Sequence, residues 1–283
     1  MPPPERSRTP ERAFEQALAE EREALKARFP LPPPRPTANR RGTPSPKTTA
    51  AAIVLVLLGG VLWLDPAYRS EHHASTVGER RVVVLADGSR ITLDTDTALD
   101  VSWHLRSRRS TLERGRASFD VAPSVVRPFE VAAGALNVRV LGTVFDVRRD
   151  ARSASVTVLE GRVLAGTATS VATPLTPGQR LTAVTGQAPA AEHVDPRTAA
   201  AWQAGRLVFE RTPLREALAE LARYRSAPLR LADEALGTLA VSGVFDAANT
   251  DQLLELLPRI LPVRVVHATD GAITIHAAAP VGR

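Results

Sequence analysis

The run TTAAAIVLVLLGGVLWL, residues 48–64, carries no charge and is the most apolar window of the chain. Coiled as a helix it is about 25 Å long, at the short end of what crosses a hydrocarbon core. Arg35, Arg40, Arg41 and Lys47 precede it, and Asp65 follows directly. That asymmetry places residues 1–47 in the cytoplasm and everything after residue 64 on the far side. Trp63 stands where an interfacial aromatic anchor belongs. Two other readings compete. A buried core helix has no neighbouring domain to receive it, and a cleaved signal peptide would begin its apolar run earlier. A single-pass membrane anchor is the favoured reading.

The remaining composition narrows the function classes. The 283 residues have room for two domains beyond the anchor. The chain has no cysteine, so disulfides, thiol chemistry and cysteine metal sites are excluded. The net charge of +6 comes from arginines scattered along the chain, with lysine only at Lys26 and Lys47. A nucleic-acid face needs clustering, so no nucleic-acid partner is expected. His72-His73, His104, His193, His267 and His276 lack companions at ligand spacing, so no metal site is expected. DTDTALD (94–100) alternates carboxylates but lacks the glycine and closing glutamate of a calcium loop, and reads as a solvated strand and turn. HLRSRRS (104–110) and VRRDAR (147–152) read as exposed basic loops. No serine–histidine–aspartate order or phosphate loop appears, no cofactor is required, and the chain is not expected to be an enzyme.

Before the anchor, Thr9-Pro10 is an N-cap and first-turn proline pair, predicting a helix from Pro10 to about Arg28. At 100° per residue Phe14, Leu18, Leu25 and Phe29 share one narrow stripe. The Pro-rich linker that follows is stiff and cannot cover the stripe. The stripe is therefore a candidate docking face for a cytoplasmic partner, or the seat of a marginal helix on the inner membrane face.

Beyond the anchor the pattern changes. Residues 77–185 alternate and turn repeatedly, giving an all-β domain, sandwich or solenoid-like. RRVVVLADGSRITL is a hairpin at Asp87-Gly88, and further turns are expected at Gly115, Gly134 and Gly161. ALNVRVLGTVFDVRRD reads as a strand interrupted at Gly142-Thr143. GQAPAAEHVDPRT reads as a linker to a small α+β domain, residues 198–283. There RLVFE is a strand, Thr212-Pro213 opens a helix, Asn249 or Thr250 caps another, and a closing hairpin turns at Asp270-Gly271. Trp202, Leu207 and Phe209 are expected in its core.

The segments VVVLADGSRITLDTDTALDV, LERGRASFDV, RPFEVAAGALNVRVLGTVFDVRR, SVTVLEGRVLAG and LTPGQRL, in that order, resemble the FecR family of transmembrane signal regulators. AWQAGRLVFERTPL and ELARY resemble the short domain of secretins and TonB-dependent receptors. The resemblance implies a bacterial inner-membrane protein with its C-terminal domains in the periplasm. It implies two partners: the signalling domain of a TonB-dependent outer-membrane transducer, and a cytoplasmic extracytoplasmic-function sigma factor. Iron or siderophore uptake is the process that the resemblance suggests. It also implies a candidate self-cleavage bond at Gly142-Thr143, where the Thr143 hydroxyl would attack the preceding carbonyl. Residues 1–47 depart from the family by carrying a single short helix without tryptophan. An envelope scaffold, or a released periplasmic binding module, is the alternative without sigma-factor activity.

Overall fold

The computed structural model describes residues 10–29, 54–57, 59, 60, 63–269 and 271–278. The chain divides into two compact units, one ending at Leu55 and the other beginning at Val56.

In the first unit the expected helix is α1, Pro10–Arg28. Lys26 and Arg28 lie in its last turn, where cations meet the negative end of the helix dipole. Its proposed cap Thr9 and the Pro-rich linker lie outside the described residues. Within the apolar run, residues 54–57, 59, 60, 63 and 64 are helical and the rest lie outside the described residues. Among the described residues, no helix is long and apolar enough to cross a membrane.

The second unit opens with thirteen strands: β1 (Ala67–Ala74), β2 (Arg81–Val84), β3 (Arg90–Leu93), β4 (Ala98–His104), β5 (Arg108–Asp120), β6 (Phe129–Ala133), β7 (Leu136–Val140), β8 (Val144–Arg149), β9 (Ser153–Glu160), β10 (Val163–Thr167), β11 (Thr173–Leu175), β12 (Gln179–Val184) and β13 (Ala190–His193). They form one sheet curled over itself. One half runs β1-β4-β5-β6-β7-β10-β11 and the other β2-β3-β5-β8-β9-β12-β13. The long strand β5 belongs to both, pairing with β4 and β6 through its first residues and with β3 and β8 through its last. A single core lies between the halves, with Leu99, Leu112 and Leu136 from one and Ile91, Phe119 and Phe145 from the other. Phe119 stacks on Phe145 at 5.1 Å between centroids. Two faces closing on one core make this a sandwich-like fold rather than a stacked solenoid. The sheet reaches from Ala67 to His193, beyond residues 77–185 at both ends.

The Asp87-Gly88 and Gly134 turns occur as hairpins. Gly115 does not turn the chain; it is the point where β5 passes from one half to the other. A Cβ there would lie 2.3 Å from Thr97 Oγ1, and the residue sits at φ +89°. Gly161 does turn, yet β9 and β10 pair with different neighbours, so it makes a corner between the halves. The alternation across residues 135–150 is likewise two strands, β7 and β8, one in each half. Alternation reports which side faces the core, and it continues when a chain crosses from one sheet half to the other.

The C-terminal module follows without a free tether. The stretch expected to be a linker contains β13, paired with β12, and then Asp195 caps the short helix α2 (Pro196–Ala200). Strand β14 (Arg206–Pro213) pairs with β16 (Ala240–Asp246), while β15 (Leu229–Leu231) and β17 (Val263–His267) flank β18 (Ile273–Ala277). Helices α3 (Leu214–Ala222) and α4 (Thr250–Ile260) pack on these strands. Leu214, Ala217, Leu218 and Leu221 of α3, and Leu253, Leu254 and Leu257 of α4, are buried. Each leucine contributes about 2 kcal/mol of burial. Asn249 caps α4 through the Gln252 N–H at 3.3 Å. Thr212 does not cap α3; it still belongs to β14, paired with Val241. Leu207 and Phe209 lie in this module's core as expected, but Trp202 does not.

Candidate functional site

The alternation of the second sheet half sends Ala117, Phe119, Phe145 and Val147 inward and Arg116, Ser118, Asp146 and Arg148 outward. Register sets Ser118 opposite Asp146 and Arg116 opposite Arg148. Strand pairing therefore gathers two arginines, a carboxylate and a hydroxyl into one outer patch. The C-terminal module sits on that patch.

Trp202, in a 3-10 turn after α2, is the central contact. Its indole N–H donates to Asp146 Oδ2 at 2.6 Å, and the Arg116 guanidinium lies 4.8 Å from its ring centre. Gln203 donates to Ser118 at 2.8 Å and to Asp146 Oδ1 at 3.2 Å. Arg80 donates to the Trp202 carbonyl at 3.0 Å. The end of α3 supplies the second half of the seam. Arg148 meets Glu220 at 2.6 Å, Arg223 meets Asp94 at 3.1 Å, and the Tyr224 hydroxyl donates to both Asp94 oxygens at 2.9 and 3.0 Å. The Thr95 hydroxyl donates to the Arg223 carbonyl at 2.9 Å.

Three arginines (116, 148, 223) face three carboxylates (Asp94, Asp146, Glu220), so the seam is neutral as a set. Burial would push Glu220 up, but the Arg148, Arg223 and Arg116 guanidiniums hold it below the ordinary carboxylate range. Burial pushes the Tyr224 phenol far up, and the Asp94 and Glu220 charges push it further, so it stays a proton donor. The arrangement fastens the module to the β-domain, because Asp94, Asp146 and Glu220 are buried or largely buried there and each is compensated by an arginine.

These contacts correct three expectations. Asp94 and Thr95 are buried rather than solvated, because Arg223 and Tyr224 cover them. Arg148 and Arg149 are not a free basic loop: Arg149 donates to the Leu112 carbonyl at 2.9 Å. Arg108, in the other basic stretch, is buried against Asp87 and donates to the Arg127 and Ala122 carbonyls at 3.0 and 3.1 Å. In each case a partner distant in sequence holds the side chain. A sequence signal that would have pointed to the seam is Asp146, a lone carboxylate between Phe145 and Val147.

Gly142 and Thr143 lie at the corner between β7 and β8. Gly142 adopts φ +155°, and a Cβ there would stand 2.7 Å from Pro123 Cα. Thr143 is buried against Gly161, and its carbonyl accepts the Val121 N–H at 3.0 Å. Its hydroxyl is buried without a hydrogen-bond partner among the described residues. Phe14, Leu18 and Leu25 along α1, and Phe29 directly after it, are all exposed. The corner and the stripe belong to different units. Among the described residues, no group of three or more His, Cys, Asp or Glu could hold a metal ion.

Residues 71–164 match the FecR family, described as FecR protein. Two crystal structures of a candidate anti-sigma factor from Parabacteroides distasonis ATCC 8503, at 2.50 and 1.65 Å resolution, share the fold. Each aligns with a TM-score of 0.66 at 22% identity, covering 100% of its own chain and 75% or 74% of this one. That coverage exceeds what the β-domain alone accounts for. No protein of curated function matches the chain.

Proposed function

The β-domain of this chain is a FecR-family domain, and on that premise we propose that the protein is an anti-sigma-type regulator of the bacterial inner membrane. In this reading residues 48–64 cross the membrane once, with the N-terminus cytoplasmic and the two C-terminal domains periplasmic. The exposed Phe14/Leu18/Leu25/Phe29 stripe of α1 takes up an extracytoplasmic-function sigma factor. The signalling domain of a TonB-dependent transducer docks on the C-terminal module, where β16 and β17 are edge strands among the described residues and suit strand addition. The observation that carries the reading is the FecR match over residues 71–164, in a chain whose N-terminal helix keeps its apolar stripe uncovered in its own unit.

The candidate self-cleavage bond has a place in the same reading. The Thr143 hydroxyl would attack the Gly142 carbonyl carbon, its proton passing to the departing amide nitrogen. Water would then hydrolyse the resulting ester. The glycine geometry at residue 142 and the uncommitted Thr143 hydroxyl support this step. Among the described residues, no side chain stands as its base.

The test is a pull-down through an N-terminal tag from native-host membranes, with bound proteins identified by mass spectrometry. A sigma factor is expected with the wild type and lost with Leu18→Asp/Leu25→Asp. Recovery of no transcription factor, with or without inducer, would leave an envelope scaffold that shares only the fold.

A further inference from the structure

The chain enters the β-domain at a braced junction. Asp65 is buried directly after the apolar run, its Oδ1 accepting the Arg106 N–H at 2.9 Å and its Oδ2 the Ser107 hydroxyl at 2.9 Å. Just before it, Trp63 is 81% exposed. On the loop between β5 and β6, Val125 and Val126 are 81% and 83% exposed. These three side chains line one groove of about 340 Å³, together with Arg106, Arg109 and Arg139. The loop that carries the valines is tied at both ends. Ser124 N–H donates to the Leu141 carbonyl at 2.6 Å, and Arg127 donates to the His104 carbonyl at 2.6 Å and to the Tyr68 hydroxyl at 3.2 Å.

Single exposed apolar residues are ordinary on a protein surface. Here an indole and two adjacent valines gather in one groove with arginines beside them, at the point where the apolar run ends. We propose that this end of the β-domain is a lipid-contact face. Trp63, Val125 and Val126 enter the headgroup region of the bilayer that residues 48–64 cross, and the arginines meet its phosphates. The proposal rests on reading residues 48–64 as a membrane anchor.

Continuity of the chain favours a bilayer over a protein partner. Any membrane that holds the run through Leu64 lies within a residue or two of the groove. The composition also suits an interface, since tryptophan and arginine each place an apolar body in the hydrocarbon and a polar end in the headgroups. Among the groove's charged residues, three arginines meet two carboxylates, Asp65 and Glu130. Glu130 holds Arg109 at 3.5 Å and Arg139 at 3.8 Å, contacts long enough for a phosphate to compete with them. A domain seated in this way has a set tilt over the membrane instead of swinging on a tether.

The chain has no cysteine, so Val125→Cys and Val126→Cys each create a unique labelling site. Val171→Cys is the control. It is 91% exposed and follows the Thr167 end of β10, which pairs with Leu136, away from Arg139 at the groove. Each full-length variant is labelled with an environment-sensitive fluorophore and reconstituted into vesicles of phosphatidylethanolamine and phosphatidylglycerol. Labels at 125 and 126 should shift to the blue relative to detergent and be quenched by doxyl-labelled lipid, while the label at 171 does neither. The shift should shrink in phosphatidylcholine vesicles. If the chain floats with the vesicles and resists carbonate extraction, but the 125 and 126 labels stay aqueous, the lipid face is overturned and the anchor stands. A blue shift without quenching by lipid overturns it in favour of a protein contact. A chain that carbonate strips from the vesicles overturns both the anchor and the face.

Discussion

Asp146 accepts three hydrogen bonds from side chains remote in sequence: the Trp202 indole, the Gln203 amide and the Arg116 guanidinium. Replacing it with alanine strands the Trp202 indole N–H and takes from the largely buried Arg116 guanidinium its closest carboxylate, while Gln203 keeps Ser118. Asp146→Ala should therefore destabilise the docked state by about 3 kcal/mol. Trp202→Phe keeps a ring over Arg116 and removes one donor, so it should cost less, about 1 kcal/mol. Urea unfolding of the two variants measures the difference, and limited proteolysis between residues 190 and 205 reports whether the seam has opened. A Trp202→Phe variant as stable as the wild type would argue that the tryptophan acts by packing alone. Asp94 follows the same logic on the other side, where it accepts from Tyr224 and pairs with Arg223. A carboxylate in an alternating polar segment looks solvated when read locally. Only the arrival of α3 above it decides otherwise.

At the scale of elements, helices and hairpins with their own caps and turns were legible. Helix α1, the Asp87-Gly88 hairpin and the Asn249-capped α4 depend on contacts within a few residues. What alternation could not reveal was the point at which a strand changes neighbours. Strand β5 passes Gly115 unbroken: it shifts register against β4 at Glu113, between Leu112 and Arg114, and the positive-φ glycine two residues on leaves the space that Thr97 fills. Residues 135–150 instead break into two strands at Gly142. That corner is the element on which the proposed cleavage depends. Expression of residues 66–283 should yield a fragment beginning at Thr143, and Thr143→Ala should abolish it, as read by gel and N-terminal sequencing. Wild-type protein that stays intact over days would remove the bond from consideration and leave Gly142 as a tight corner against Pro123.

For the β-domain and its C-terminal module together, the seam carries a pH dependence. Arg148, Arg223 and Arg116 depress Glu220 in the folded protein, so the folded state favours its charged form. Its contribution to stability is present above the ordinary carboxylate value, about pH 4.5, and is lost as the pH falls through its lower folded value. Acid should loosen the seam in that window. An acid titration of tryptophan fluorescence, with Trp202→Phe as the reference, should show the Trp202 signal changing there and should lose the change in Glu220→Gln. A signal flat down to global unfolding would count against Glu220 as a contributor.

The sequence by itself determined the classes of element, the uncharged run at 48–64, the absence of cysteine chemistry and the likeness to the FecR family. Those depend on periodicity, charge and composition, which are written residue by residue. Tertiary structure alone decided that the apparent linker at 186–198 is a strand and a helix cap. It also decided that Trp202 leaves its own module's core for the β-domain, and that three carboxylates and three arginines from distant segments meet in one neutral seam. Burial and charge compensation depend on which surfaces come together in space, and a local pattern does not carry that information.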